Sequence, residues 1–183
     1  MVGIKKFELT GEKKTNICGK TLFRIKALIS FGGVKAGELG GFVEKEENLD
    51  QSGDAWVYGN AEVSGNARVA GNAEVSGNAW VSGDARVYGN AKVSGDAWVY
   101  GNAEVADNAD YVSIEGFGTE FRGITFFRCK DKTVKVARGC FYGTIEEFRK
   151  QVEKTRKGKI AKEYLMMADL MEYHFAESED EYE

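Results

Sequence analysis

From Ser52 to Tyr111 the hydrophobic and polar positions repeat with a period of six, and the unit is written ten times without a gap. Each copy reads Ser/Tyr/Ala-Gly-Asn/Asp-Ala-x-Val. Alanine keeps its place from Ala55 through Ala109, valine closes nine copies from Val57 to Val105, and Tyr111 closes the tenth. Glycine fails once, at Asp107. A period of six fits neither the 3.6 of a helix nor the alternation of a simple two-faced strand. It predicts a solenoid with one short strand per repeat. In each unit Val points inward, between an outward variable residue before it and an outward Ser, Tyr or Ala after it. Gly and Asn/Asp are expected to turn the corner, since both tolerate left-handed backbone angles. Ala fits where only a small side chain can.

A Val followed four positions later by a small residue resembles the hexapeptide pattern of left-handed parallel β-helices, over about a third of the chain. The resemblance implies triangular turns of three hexads, so residues eighteen apart become vertical neighbours. The outward columns are then Trp56-Glu74-Lys92-Asp110, Glu62-Trp80-Trp98 and Arg68-Arg86-Glu104. At the corners no Asp lies above another Asp, which avoids like-charge repulsion along a ladder. On the second face Trp80, Trp98 and Tyr100 are expected to form one exposed aromatic patch.

The flanks have other patterns. Residues 1–51 read as a β-rich cap: Thr21 to Leu28 alternates, and Gly11, Gly19 and Gly32-Gly33 mark turns. The run from Gly19 through Leu49 resembles the N-terminal cap of a bacterial and phage family of hexapeptide-repeat proteins, labelled acyltransferase-like or polymer-forming. Such a cap covers the open end of the helix, and the resemblance implies no activity. Residues 52–111 are the repeat and 112–176 a small α/β module. In that module Glu120–Cys129 and Thr133–Val136 predict a hairpin, and Thr144 with Glu147 forms a capping box that opens a helix. Ile145, Phe148 and Val152 share one face of it. A second amphipathic helix places Ile160, Tyr164, Met167, Met171 and Phe175 on one stripe. The module resembles C-terminal modules of phage-encoded proteins. Residues 177–183, ESEDEYE, read as a disordered acidic tail. The fold class is thus mainly β: a left-handed parallel β-helix with a β-rich N-terminal cap and an α/β C-terminal module.

Charge is segregated around a net −4. Residues 1–45 carry nine basic and four acidic side chains, 46–111 three and eleven, 112–172 thirteen and nine, and 173–183 none and five. An acidic solenoid between basic flanks argues against nucleic acid along the coils. Cys18, Cys129 and Cys140 form no CxxC pair and have no neighbouring His, which reads as reduced structural thiols in a cytoplasmic protein, of a bacterium or of an infected host cell. Met1-Val2-Gly3-Ile4-Lys5-Lys6 leads into mixed sequence rather than a secretory leader, and no apolar run nears the ~18 residues that span a bilayer.

Candidate chemistry is sparse. Hexapeptide-repeat acyltransferases place a His in the coils as general base; here the one His, His174, stands beside the acidic tail. One His excludes the three-His zinc site of related carbonic anhydrases. Asp54, Asp84 and Asp96 lack the nonapeptide pattern of calcium-binding solenoids and read as turn residues. No catalytic residue, metal site or cofactor is assigned. The aromatic patch Trp80, Trp98 and Tyr100 is the expected contact surface for a protein partner or a further copy in a dimer or trimer. Lys154, Arg156, Lys157 and Lys159 form a basic loop, read as a solvated helix terminus with anion binding as the alternative. The expected function is that of a non-catalytic interaction protein, of phage or prophage type, binding a host or phage macromolecule; an inhibitor of a bacterial defence system is one instance. An acyltransferase-like enzyme and a small-ligand or nucleotide sponge are the alternatives.

Overall fold

The computed structural model describes residues 5–120 and 122–176. Three strands, β1 (Phe7–Thr15), β2 (Thr21–Ala27) and β3 (Leu39–Val43), lead into nine two-residue strands. These are β4 (Trp56–Val57), β5 (Glu62–Val63), β6 (Arg68–Val69), β7 (Glu74–Val75), β8 (Trp80–Val81), β9 (Arg86–Val87), β10 (Lys92–Val93), β11 (Trp98–Val99) and β12 (Glu104–Val105). Every third strand pairs in parallel, eighteen residues apart, as Glu62↔Trp80↔Trp98 and Val63↔Val81↔Val99 illustrate. The result is a three-sided β-solenoid with the sheets β4-β7-β10, β6-β9-β12 and β3-β5-β8-β11. Each Val from Val57 to Val105, and the Ala two positions before it, is buried in one continuous core.

The corners divide the labour differently from the expectation. Each repeat glycine from Gly53 to Gly101 takes a positive φ, yet the Asn or Asp after it does not; Lys132 is the one non-glycine with positive φ among the described residues. Glycine alone turns the chain, and it also permits the stacking: a Cβ at Gly83 would stand 2.9 Å from the Gly101 nitrogen. The amides instead bond along the corner. Asn66 Nδ2 donates to Asp84 at 3.0 Å, Asn72 to Asn90 at 3.1 Å and Asn78 to Asp96 at 3.0 Å.

The solenoid starts earlier and stops sooner than the repeat. Phe42 and Val43 pair with Glu62 and Val63, and Leu49 bridges Val69, so residues without the hexapeptide signature supply a partial first layer. Gly40 and Gly41 allow it, because Cβ atoms there would lie 2.6 Å from Ile25 and Val57 respectively. Buried Asn48 donates to the Gly65 and Ala67 carbonyls, satisfying backbone acceptors at the corner. The tenth hexad, by contrast, is no coil. Asp107 has φ −141°, the Asp110 carboxylate accepts from the amides of Ala106 and Asp107, and residues Asn108–Asp110 form a 3-10 turn. Ala109 is exposed and Tyr111 opens a new strand. Asp110 therefore leaves its expected column and pairs with Arg128 at 3.3 Å.

The N-terminal strands pack over the first face. Trp56, expected outward, is fully buried, with Phe7 at 6.2 Å and Phe31 at 5.4 Å in edge-on contact. Beside it buried Lys6 donates to the carbonyls of Ser52, Gly53 and Ala55. Its ammonium closes backbone acceptors that have no preceding coil to bond. Burial pushes its pKa down to about 8, against the pull of Asp50 and Asp54.

Beyond β12 an antiparallel sheet in sequential order contains β13 (Tyr111–Ile114), β14 (Ile124–Arg128), β15 (Val134–Arg138) and β16 (Phe141–Thr144). The expected hairpin is β14–β15, and the sheet adds a strand on each side of it, β13 and β16, that the sequence pattern does not mark. Helix α1 (Ile145–Thr155) carries the Thr144/Glu147 capping box, and α2 (Gly158–Phe175) lies against it. Ile145, Phe148, Val152, Tyr164, Met167, Met171 and Phe175 form a second core with Ile124, Phe126 and Val136 of the sheet. The expected acidic tail lies outside the described residues. No helix among the described residues is long and apolar enough to cross a membrane.

Candidate interaction surfaces

The second solenoid face brings Trp80, Trp98 and Tyr100 together as the sequence predicts. The Trp rings meet edge-on at 5.4 Å, and Tyr100 lies 6.0 Å from Trp80. Their exposure is a correction: all three are half-buried, Trp98 and Tyr100 because the C-terminal sheet closes over the last coil and Trp80 because it packs on those two rings. The Trp98 amide donates to Thr125 Oγ1 at 3.0 Å, Lys130 N–H donates to the Asn102 carbonyl, and Ala103 bridges Cys129. A coil edge left open would expose unpaired backbone groups, so the module docks where the ladder would otherwise end.

The docking extends the aromatic strip. Tyr142 stacks on Tyr100 at 4.7 Å, with Phe127 about equally near both, at 6.3 and 6.4 Å. A Cβ at Gly101 would fall 2.2 Å from the Tyr142 hydroxyl, so the glycine that turns the corner also makes room for this ring. Burial raises the pKa of Tyr100, and it pushes Tyr142 to about 12 with help from Cys129. Tyr142 still keeps 37% of its surface in solvent. Sequence reading missed Tyr142 because its neighbours, Phe141 and the Gly143-Thr144 pair, read as the run-in to a helix. Below the Trp column Lys14 pairs with Glu62 at 2.8 Å, and above it Lys135 stands over the Tyr142 ring at 5.8 Å. The strip is half-buried aromatic surface with a charged rim.

The third face is charged. Exposed Arg68 pairs with Asp50 at 2.9 Å, and the Tyr88 hydroxyl donates to Glu104 at 3.0 Å. Arg86 is exposed between them. Arg68, Arg86, Tyr88 and Glu104, with Lys45 and Glu47, line an open recess of about 850 Å³. On the first face Lys92 pairs with Glu74 at 3.0 Å, continuing the expected charge ladder.

The other candidate residues lie apart. Lys154, Arg156, Lys157 and Lys159 are all exposed where α1 passes into α2, and Lys159 approaches Glu163 at 3.5 Å. His174 is exposed in the last turn of α2, its ring 4.8 Å from Phe175. Of the cysteines, all free, Cys129 alone is in the core, where burial raises its pKa; Cys18 and Cys140 are exposed. The reading of all three as structural thiols holds for Cys129 only. One apolar surface was overlooked. Met166, Leu170 and Tyr173, spaced i, i+4, i+7, form an exposed stripe on the side of α2 that faces away from the core.

The family described as YdcK beta solenoid repeat matches residues 85–101, about one coil that includes Trp98. No curated protein matches the chain. The match agrees with stacked parallel coils, and the architecture is that of a β-solenoid repeat protein with a small helical C-terminal module.

Proposed function

We propose that the protein is a non-catalytic binding protein, and that the strip Trp80-Trp98-Tyr100-Tyr142 is where a protein partner docks. The observation that carries the reading is the continuity of this strip across the junction between solenoid and module. Rigid, half-exposed aromatic rings with charged neighbours have the anatomy of an interface hot spot, in which a few anchors supply most of the affinity. Two parts of the chain hold the strip in place, so little side-chain freedom is lost on binding. The six-residue period and the cap-like run Gly19–Leu49 support a hexapeptide-repeat affiliation, a left-handed coil and a phage or prophage setting. A host or phage protein is then the partner class, and inhibition of a defence protein is one such role.

The test is a pull-down from bacterial lysate with the wild type and with Trp80→Ser in parallel. Trp80 is the better target, since Trp98 abuts the module through Thr125. A partner held by the wild type and released by Trp80→Ser supports the reading. Identical bound proteins for both contradict it.

A further inference from the structure

We propose that the cleft where β15, β16, α1 and α2 meet binds a small phosphate monoester, with its phosphoryl group held by Arg138 and Arg156. The cleft has a volume of about 180 Å³, and both arginines line it together with Gln151, Phe141, Phe148 and Tyr164. The arginines of the module fall into two groups. Arg122 pairs with Glu120, Arg128 with Asp110, and Arg149 with Asp169 and Glu172. Arg138 and Arg156 have no carboxylate partner among the described residues, and no acidic side chain lines the cleft they share. Two permanent cations at one recess select an anion.

Arg138 is held in place by its own packing. Its Nη2 donates to the Tyr164 hydroxyl at 2.8 Å, and its guanidinium carbon lies 5.0 Å from the centre of that buried ring. Tyr164 in turn packs on Phe148 at 6.0 Å, so little freedom is lost when a ligand arrives. The bond to Tyr164 engages one of five N–H donors, and Nε is buried with no hydrogen-bond partner. A buried donor left without an acceptor is destabilising, and a ligand oxygen removes that penalty. The carbonyls that end α1 are already engaged. Gln151 O accepts from Thr155 Oγ1 at 2.6 Å, and Val152 O from the Arg156 amide at 2.8 Å. The exposed Arg156 side chain makes one long contact, Nη1 to the Thr155 carbonyl at 3.4 Å. Guanidinium forks match phosphoryl oxygens, and a monoester dianion balances both charges where a carboxylate balances one. Phe141 and Phe148 give the ester's carbon chain an apolar wall. The volume is below the ~300–1,000 Å³ of a drug-sized site, which limits that chain to a few carbons. The cleft shares no residue with the strip around Trp80.

Titration calorimetry of the full chain with glycerol 3-phosphate, inorganic phosphate and acetate, at about 0.1 M salt, reads the site directly. Glycerol 3-phosphate is expected to bind with a dissociation constant on the order of 0.1–1 mM, inorganic phosphate more weakly, and acetate not measurably. Arg156→Gln changes an exposed side chain and should weaken the ester about tenfold or more. Arg138→Lys keeps the charge but loses the fork, and should weaken it similarly with an unchanged circular dichroism spectrum. Lys159→Gln removes a charge from the same loop and should stay within about twofold of the wild type, and Trp80→Ser should match the wild type. No binding of the ester at about 10 mM overturns the proposal. So does equal weakening by Lys159→Gln and Arg156→Gln, which would mean diffuse attraction to the basic loop. Inorganic phosphate binding as tightly as glycerol 3-phosphate overturns the ester, and acetate binding as tightly overturns the dianion.

Discussion

The ring of Tyr142, from the last strand of the C-terminal sheet, lies 4.7 Å from the ring of Tyr100, at the last corner of the solenoid. This contact ties the second core to the first. Tyr142→Ala should lower unfolding free energy by about 2 kcal/mol, combining a lost aromatic pair with the burial of a ring that is two-thirds covered. Urea denaturation measures the loss. Hydrogen exchange should show it concentrated in residues 111–176, with solenoid amides around Val75 keeping their protection.

The valine columns depend on dryness. Val75 is fully buried between Val57 and Val93. Val75→Asp would bury an unpaired charge in the middle of the stack and should prevent folding. Val75→Ala should fold, with a loss of about 1–3 kcal/mol. Circular dichroism and melting temperature of the two variants separate a charge effect from a volume effect.

At the corners, Asn78 donates to Asp96 at 3.0 Å. Asn78→Asp replaces that bond by two facing carboxylates, and should cost on the order of 1 kcal/mol at neutral pH. The penalty should fade as pH drops through the carboxylate range near 4, because one proton restores a donor. A melting-temperature difference from the wild type that does not change between pH 7 and pH 3.5 would refute the ladder.

Lys6 gives a pH dependence of defined sign. Its folded pKa, about 8, lies below its unfolded value of 10.5. Between these values the unfolded chain holds a proton that the folded chain has released, so this group adds stability as pH rises from about 8 to 10.5. Tyr142, with its pKa raised to about 12, acts oppositely above pH 10, where the unfolded phenol ionises and the folded one does not. Comparing the wild type with Lys6→Met isolates the lysine. The wild type should gain on the variant as pH rises through this window, and parallel curves would contradict the assignment.

Much of this was legible in the sequence, for physical reasons that also mark the limits. Val69 and Val87 announce themselves because each position in a coil sees the same environment, and a six-residue period is the direct record of that. Val43 and Leu49 occupy the same columns yet carry no period, since the cap brings its own packing through Gly40, Gly41 and Asn48. Trp56 and Trp80 are equivalent in the repeat. Only the tertiary arrangement of Phe7 and Phe31 buries one, while the other is half-buried against Trp98 and Tyr100 of the next coil. Asp107 was visible as a missing glycine, and its consequence, a coil replaced by a 3-10 turn, follows from the φ that the position no longer reaches. The stripe Met166-Leu170-Tyr173 was present at helical spacing, but a helix with two apolar sides does not reveal which of them meets the core.

The most direct measurement is the affinity of the recovered partner for three proteins: wild type, Trp80→Ser and Arg86→Ser. Arg86, on the charged third face, controls for loss of any exposed side chain. A ring that anchors the interface is worth about 2 kcal/mol or more, so Trp80→Ser should weaken binding roughly thirtyfold, with Arg86→Ser within about twofold of the wild type. Equal affinity for the wild type and Trp80→Ser, with the fold of the variant intact by circular dichroism, would contradict the assignment of the aromatic strip as the docking surface.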